Sequence, residues 1–526
     1  LCVANLSRSA QPVELDLAAC KGRTPVELLG RAAFPPIGDA PYVVTLPGHG
    51  FFWFHLAKGD HAPDWHVETL VREEIPVLVF FDGWHSLFRD RVVPWRIGMA
   101  ERVRQQFERD ALPRFLAGQR WFAAKGEKPA LAALRDQTEW GERGGNFMLA
   151  LFEVPGAAGP ADYFIPLSMV WEDDEARSRA LRPAGVARVR QQARLGVLGD
   201  ACADEEFVRS LVAAIGGGRE WRCAHGSIRC RPGSNFARLA GADPAALAVR
   251  PMVALSSNTT VAVGDSLFLK VYRRLQAGIG PEIEVGRFLS EVAHFGHSVP
   301  VAGTVEYQAA DGSVTALALL QGYVPNQGDG WTYTVDYLER AFERVLAASA
   351  EPDAEAHGGY LALIATLGRR TAELHLALAT PTGDAAFGCA PLEPGDLVAW
   401  AHQIAAEART SLDKLAAVAP RLPAAVQAAA ARLLERRDAL LARCAAPLPD
   451  QGRAHKIRHH GDYHLGQVLL AQNDFLIIDF EGEPARSLAE RRKKHSPLRD
   501  LAGMLRSFDY AARWSLQRVA RGRDKE

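Results

Sequence analysis

Residues 252 to 275 read MVALSSNTTVAVGDSLFLKVYRRL, two runs of alternating apolar residues joined at Gly264-Asp265. Period-two alternation around a Gly-Asp pair predicts a β-hairpin. PEIEVGRFLSEV follows and predicts a helix opened by Pro281 in its first turn. VTALALLQGYVP predicts another strand, ending in the polar, glycine-rich NQGDGWTYT. From about Tyr333 the chain turns alanine-rich, and Ile364, Leu367, Thr371, Leu374 and Leu378 recur at helical spacing. Two more alanine-rich helices are expected between about 394 and 445. This order predicts an α+β fold of two lobes, a small β-rich one before a larger helical one.

The helical part ends in HHGDYHLGQVLLAQNDFLIIDFEGEP, residues 459 to 484. Taken alone, His-Gly-Asp is a turn, and an acid after a strand is a cap. Taken together, Asp462, an amide five residues on at Gln467, and Asp479 closing the apolar run FLII offer oxygen atoms suited to a metal bound to phosphates. Phosphoryl transfer needs cations against the phosphates, a metal between them, and an acceptor for the proton of the incoming hydroxyl. Lys270, in the second run of the hairpin, is either an edge residue or a buried cation facing phosphate, and Glu282 or Glu284 on the next helix can hold it by an ion pair. The histidines 459, 460 and 464 read as loop and packing residues around an oxygen-ligand site.

The chain has 526 residues, enough for two to four domains, and 48 % hydrophobic content with 23 % charge suits globular cores. A net charge of −1 gives no electrostatic case for nucleic acid or an acidic membrane. The longest apolar run, IPVLVFF, falls short of the roughly 20 residues of a membrane span. The seven cysteines are scattered and odd in number, so reduced thiols in the cytoplasm are expected; Cys223 and Cys230 lack a second pair for zinc. The glycine run at 216 to 220 reads as a loop.

Residues 1 to 57 predict short strands, LCVANLS, VELDL, YVVTL and FFWFHL, between Gly/Pro turns. They read as the edge of a β-sandwich whose partner strands lie upstream, or as a small independent β domain. With no starting methionine and no clear stop at RVARGRDKE, both ends are expected to be cut from a longer polypeptide. Residues 58 to 105 are expected to be a connector with some structure of its own. RVRQQFERDALPRFLAGQRWFAAKGE then predicts a helix interrupted at Pro113, before strands that include NFMLALFEV and DYFIPLSMVW.

Lys270, the acid-bearing helix, HGDYHLGQ and IDFE resemble the aminoglycoside-phosphotransferase branch of the protein-kinase-like folds. More closely, QRWFAAKGE, SSNTTVAVGDSLFLKVYRRL, VPNQGDGWTYTVDYLER, LGRRTAELHLAL, HGDYHLGQVLL and IDFEGEPARSLAERRKKHSPLRDLAGMLRSFDYAA resemble the maltokinases, from about 106 to 513. The first 57 residues resemble the C-terminal β domain of trehalose synthases, an activity known to be fused to maltokinase. The resemblance implies a fragment of such a fusion: a synthase β domain over 1–57, a linker over 58–105, a maltokinase N-terminal cap over 106–200, a kinase N-lobe over 201–325 and a helical C-lobe over 326–526. It implies a cytoplasmic enzyme that uses ATP and Mg²⁺ to phosphorylate maltose at its anomeric hydroxyl, giving maltose 1-phosphate for α-glucan synthesis. The upstream synthase module is its implied partner.

In those terms Asp462 is the catalytic base, Gln467 and Asp479 hold Mg²⁺, Lys270 contacts the nucleotide phosphates, and Glu282 or Glu284 positions Lys270. The segment Gln321 to Tyr323 faces adenine, and Arg506, Asp509 and Tyr510 are candidate sugar partners. The sequence departs from protein kinases in having SSNTT where a glycine-rich loop is usual, Gln467 in place of Asn, and Glu481 in place of Gly. Two alternatives stay open: transfer to another sugar or an amino alcohol, and a non-catalytic carbohydrate-binding segment.

Overall fold

The computed structural model describes residues 1–9, 11–28, 34–58, 75–122, 128–141, 146–156, 159–252, 257–347, 357–446 and 454–523. The chain divides into two units, 1–75 and 76–526. Ser256 of the SSNTT turn, residues 59–74 of the expected connector and the end of QRWFAAKGE lie outside the described residues.

In the first unit the strands are β1 (Cys2–Ala4), β2 (Gln11–Leu15), β3 (Arg23–Glu27), β4 (Tyr42–Leu46) and β5 (Phe51–Lys58). They form an antiparallel sheet β1-β5-β3 and a β2-β4 pair. Alternation in β4 buries Val44 and Leu46, while Val26 of β3 and Phe54 of β5 join them in the interior. Phe34 packs edge-on against Phe54, ring centroids 4.9 Å apart.

The second unit opens with a seven-stranded sheet of β6 (Val77–Phe80), β7 (Ala133–Trp140), β8 (Phe147–Val154), β9 (Ala161–Phe164), β10 (Leu167–Trp171), β11 (Gly185–Gln191) and β12 (Arg194–Asp200). Its order is β6-β11-β12-β10-β8-β7, with β9 paired to β8. This corrects the expected connector: β6 runs parallel to β11, so residues from Val77 onward already belong to this sheet. A helix over Ile97–Gln106 continues to Ala117 and covers one face, packing Phe107, Leu112 and Phe115 into the core with Phe80 and Phe152. Pro113 does not interrupt it. A π turn over Phe107–Ala111 shifts the hydrogen-bond register just before the proline, which lacks the N–H a regular turn would need.

A second seven-stranded sheet follows, wholly antiparallel: β13 (Glu220–Arg222), β14 (Gly226–Pro232), β15 (Val249–Met252), β16 (Thr259–Val263), β17 (Leu267–Val271), β18 (Val301–Ala309) and β19 (Val314–Gly322). Its order is β13-β14-β18-β19-β17-β16-β15. The expected hairpin is β16–β17, with Thr260 opposite Lys270. Val261, Val263, Leu267, Leu269 and Val271 point into one apolar core. The helix Pro281–Arg287 and its π turn Phe288–Val292 lie between this sheet and the helical lobe, where Val285 and Phe288 join the lower core.

That lobe is built on the helices Gly330–Ala347, Gly358–Leu378, Pro394–Val418 and Leu498–Arg523 and on a hairpin of Val468–Ala471 with Asp474–Ile477. Leu367, Leu374 and Leu378 form the buried stripe read from the sequence and pack with Leu465, Val468 and Ile477. No helix among the described residues is long and apolar enough to cross a membrane.

Candidate phosphoryl-transfer site

Lys270 lies on β17 with its stem buried, and its Nζ reaches three carboxylates: Glu282 Oε2 at 2.9 Å, Asp479 Oδ1 at 3.1 Å and Glu481 Oε1 at 2.6 Å. Burial disfavours the ammonium, but the three acids hold its pKa well above the ordinary lysine value. Burial pushes the Glu282 carboxyl up to about 7, a rise that Lys270 limits. Tyr272, two residues along the strand and so on the same face, donates its hydroxyl to Glu282 Oε2 at 2.5 Å.

Glu284 does not share this role. Two residues along a helix turn the side chain by about 200°, so Glu284 points the other way. It accepts from Arg492 Nη2 at 2.5 Å and pairs with the buried Arg458 at 3.0 Å.

Asp479 follows the strand Asp474–Ile477 and adopts φ 63°, a conformation that non-glycine residues rarely take. It carries its carboxylate back to Lys270 on one side and to Gln467 on the other, whose Nε2 donates to Oδ2 at 3.1 Å. Burial opposes ionisation of Asp479, yet Lys270 brings its pKa below the usual range. Glu481, which the sequence marks only as a difference from protein kinases, completes the cluster and accepts from Asn258 Nδ2 at 3.3 Å.

Glu282, Asp479 and Glu481 each bring an oxygen within 4.8 Å of the others. All ionised, three carboxylates around one ammonium leave two excess negative charges. An all-oxygen donor set with that excess fits a hard divalent cation such as Mg²⁺.

Asp462 lies in a turn that the protein holds firmly. Asp500, at the start of the helix Leu498–Arg523, accepts the backbone N–H of His460 at 2.8 Å and of Gly461 at 3.0 Å, and meets His375 Nε2 at 3.1 Å. Burial works against its charge, but His375 and these donors hold the carboxyl well below the usual range. His460 bridges the two acid-bearing segments: Nε2 donates to the Ile478 carbonyl at 2.9 Å, leaving Nδ1 to accept the Asp462 N–H at 3.4 Å. That fixes its tautomer, since a carbonyl only accepts and an amide N–H only donates. Gly503 lets the helix press on this turn, because a Cβ there would lie 2.7 Å from the Tyr463 carbonyl oxygen. His460 was read in the sequence as a packing residue around the site, but Asp500 did not stand out; that acid comes 38 residues after Asp462 and is linked to it only by the fold.

A cavity of about 590 Å³ opens beside Asp462, lined among others by Asp329, Trp331, Arg506 and Tyr510. Two of the three residues expected as sugar partners, Arg506 and Tyr510, thus line this cavity. Asp509 is not among the lining residues and pairs with Arg513 at 2.9 Å on the exposed side of the helix. Gln321, near the end of β19, lies between Phe268 and Val301, and the Tyr323 N–H donates to Ser266 at 2.8 Å. Both are half-buried.

The phosphotransferase enzyme family model matches residues 249–524, more than half of the chain. The protein belongs to the phosphotransferase enzyme family. In this phosphotransferase the maltokinase N-terminal cap domain model matches residues 115–204 and the maltogenic amylase C-terminal domain model residues 1–53. The opening region is 60 % identical over 60 residues to trehalose synthase of Pimelobacter sp. (strain R48), covering 11 % of this chain and 10 % of that protein. The kinase region is 28 % identical over 278 residues to glucosamine kinase of Mycolicibacterium smegmatis, covering 53 % of this chain and 63 % of that protein. The phosphotransferase thus spans a small part of that synthase and under two thirds of that kinase. A solved glucosamine kinase structure (crystal form B) aligns at 21 % identity with a TM-score of 0.49, covering 77 % of this chain and 80 % of that one.

Proposed function

We propose that the protein transfers the γ-phosphoryl group of ATP to the anomeric hydroxyl of maltose, giving maltose 1-phosphate and ADP. The observation that carries this reading is the meeting of two kinds of site where the antiparallel sheet faces the helical lobe: a lysine ringed by carboxylates, and an acid in a locked turn facing a cavity. The match to a maltokinase cap domain supports maltose among sugars.

Lys270 binds phosphate oxygens as they displace its carboxylate partners, while Glu282, tethered by Tyr272, keeps the ammonium in place. Asp479, Gln467 and Glu481 would hold Mg²⁺, which when bound neutralises charge on the phosphate oxygens. Asp462 orients the sugar hydroxyl and accepts its proton as the new oxygen–phosphorus bond forms and the bond to ADP breaks. Asp500 and His460 keep that acid from drifting, so little reorganisation is needed at the moment of transfer. Gln321 to Tyr323 is the segment proposed to face adenine.

A second reading is transfer to an amino sugar, favoured by the likeness to glucosamine kinases over about half of the chain. The test incubates the protein with ATP, Mg²⁺ and maltose, glucosamine, glucose or trehalose in turn, following ADP release and the phosphorus NMR of the product. A maltose-dependent anomeric phosphate is expected. ADP release with glucosamine and none with maltose would replace the first reading by the second. The opening region, like the trehalose synthases in sequence, is proposed to follow such a module in a longer cytoplasmic chain.

A further inference from the structure

A second cavity, of about 420 Å³, lies behind the helix that carries Glu282. Gly280, Ile283, Glu284, Arg287 and Glu291 line it, spaced as one face of a helix, and Glu282, which turns to Lys270, is not among them. Strands β18 and β19 supply Glu306 and Ala316, and the segment after the helix Gly358–Leu378 supplies Asp384 and Phe387. Ile283, Phe288 and Phe387 are buried and form an apolar floor. The rings of Phe288 and Phe387 lie parallel with centroids 3.8 Å apart, so the floor spans the junction between the Glu282 helix and the helical lobe. Ile279 and Val292, also in the lining, are 49 % and 48 % exposed and mark the mouth.

Four carboxylates border this apolar space. Two are already neutralised: Glu284 by Arg458 and Arg492, and Glu306 by Arg287 and Arg231. The other two are exposed and meet no cation among the described residues. Glu291 accepts the Ser234 N–H at 3.2 Å, and Asp384 accepts the Ala386 N–H at 2.8 Å. An apolar floor with two uncompensated negative charges repels anions and suits a cation with an apolar body. The volume is that of a site for a small molecule.

The floor also reaches the phosphoryl-transfer site. Ile283 directly follows Glu282 and packs against Val301 and Leu319. Leu319 is the residue of β19 opposite Lys270. Tyr272, whose hydroxyl holds Glu282, packs against the same cluster. A body filling the cavity presses Ile283 onto that cluster and so keeps Glu282 on Lys270.

We propose that this cavity is a regulatory site for a small organic cation, an amine on an aromatic or aliphatic body, whose binding tightens the hold of the Lys270 cluster on nucleotide. The tightening rests on the reading that Lys270 meets the phosphates of ATP, whereas the site itself does not.

The test uses tryptamine as the probe and indole-3-propionate as its anionic counterpart. Saturation-transfer NMR follows their binding to the wild type, to Val292→Trp, which closes the mouth from an exposed position, and to the double variant Glu291→Gln/Asp384→Asn, with Tm recorded for each. Tryptamine should bind the wild type and indole-3-propionate should not. Val292→Trp should abolish tryptamine binding, and the double variant should weaken it about tenfold. The two kinds of variant keep the site testable should one fail to fold. No binding of tryptamine to the wild type, equal binding of the two probes, or binding unchanged in the variants would overturn the site. Calorimetric titration then measures Mg·ATP affinity with and without tryptamine. Tryptamine should tighten Mg·ATP about fivefold, and Mg·ATP should tighten tryptamine by the same factor. Tryptamine bound in the cavity with Mg·ATP affinity unmoved would overturn the regulation. A wild type that binds no Mg·ATP at all sinks the phosphoryl-transfer reading and the regulation with it, and the NMR comparison still decides the site.

Discussion

The two halves of the site are built on opposite principles. Around Asp462 the protein satisfies its own groups: Asp500 takes two backbone N–H groups and a histidine, and His460 ties the turn to the next strand. Around Lys270 it leaves an imbalance, with three carboxylates on one ammonium. A satisfied network is rigid, and an unbalanced one draws in ligands. On the proposed reading, the turn around Asp462 is set before substrate arrives, whereas the cluster around Lys270 is completed by what binds there.

That contrast can be broken most sharply at Lys270. Lys270→Met should lower affinity for Mg·ATP at least a hundredfold by calorimetric titration, with sugar binding unchanged. Equal affinity in the variant would mean that the cluster is structural. Next in size is Asp500→Asn, which leaves buried donors poorly matched. Unfolding in urea should show a loss of about 2–4 kcal/mol, and kcat should fall while KM for ATP holds. An unchanged kcat would show that the turn needs no lock.

Glu282 and Glu284 offer a comparison within one helix. Glu282→Gln should raise KM for ATP about tenfold, roughly 1.4 kcal/mol, with Tm little changed. Glu284→Gln strips a partner from the buried Arg458 and should lower Tm with KM for ATP within threefold. Reversed behaviour would exchange their roles.

The smallest effect concerns pH. Burial lowers His459 to about 4 and His495 to about 3, below the usual histidine value near 6.5. Below about pH 6.5 the unfolded chain takes up protons that the folded chain refuses, so stability is lost as pH falls from 6.5 toward 4. Each group should cost about 1 kcal/mol by pH 5.5. Urea unfolding at pH 7 and 5.5 measures this, and His495→Gln should flatten the slope; an unaltered slope in that variant would exclude His495 as its source.

What was legible in the sequence divides along the same line. Lys270 and its hairpin were local signals, an alternation and a turn, and the acids at 462 and 479 share one short stretch with Gln467. Glu282 and Glu284 were left as equals, though helical geometry alone places them on different sides. Asp509 was grouped with Arg506 and Tyr510 by closeness in sequence, where only residues one turn apart share the cavity face. Asp500 was not legible because it acts on a turn that tertiary packing brings to it, and Trp331 because only the fold places it in one cavity with Asp462. That Val77–Phe80 belongs to the first large sheet was hidden for the same reason, since its partner Arg188–Gln191 comes far later in the chain.

The central claim is that one half of the site holds nucleotide and the other directs the sugar hydroxyl. Asp462→Asn tests it most directly, with Mg·ATP affinity and phosphoryl transfer measured on the same preparation. Affinity should stay within twofold of wild type while transfer falls by about 10²–10⁴-fold. Undiminished transfer, or affinity lost along with it, would contradict the division of labour.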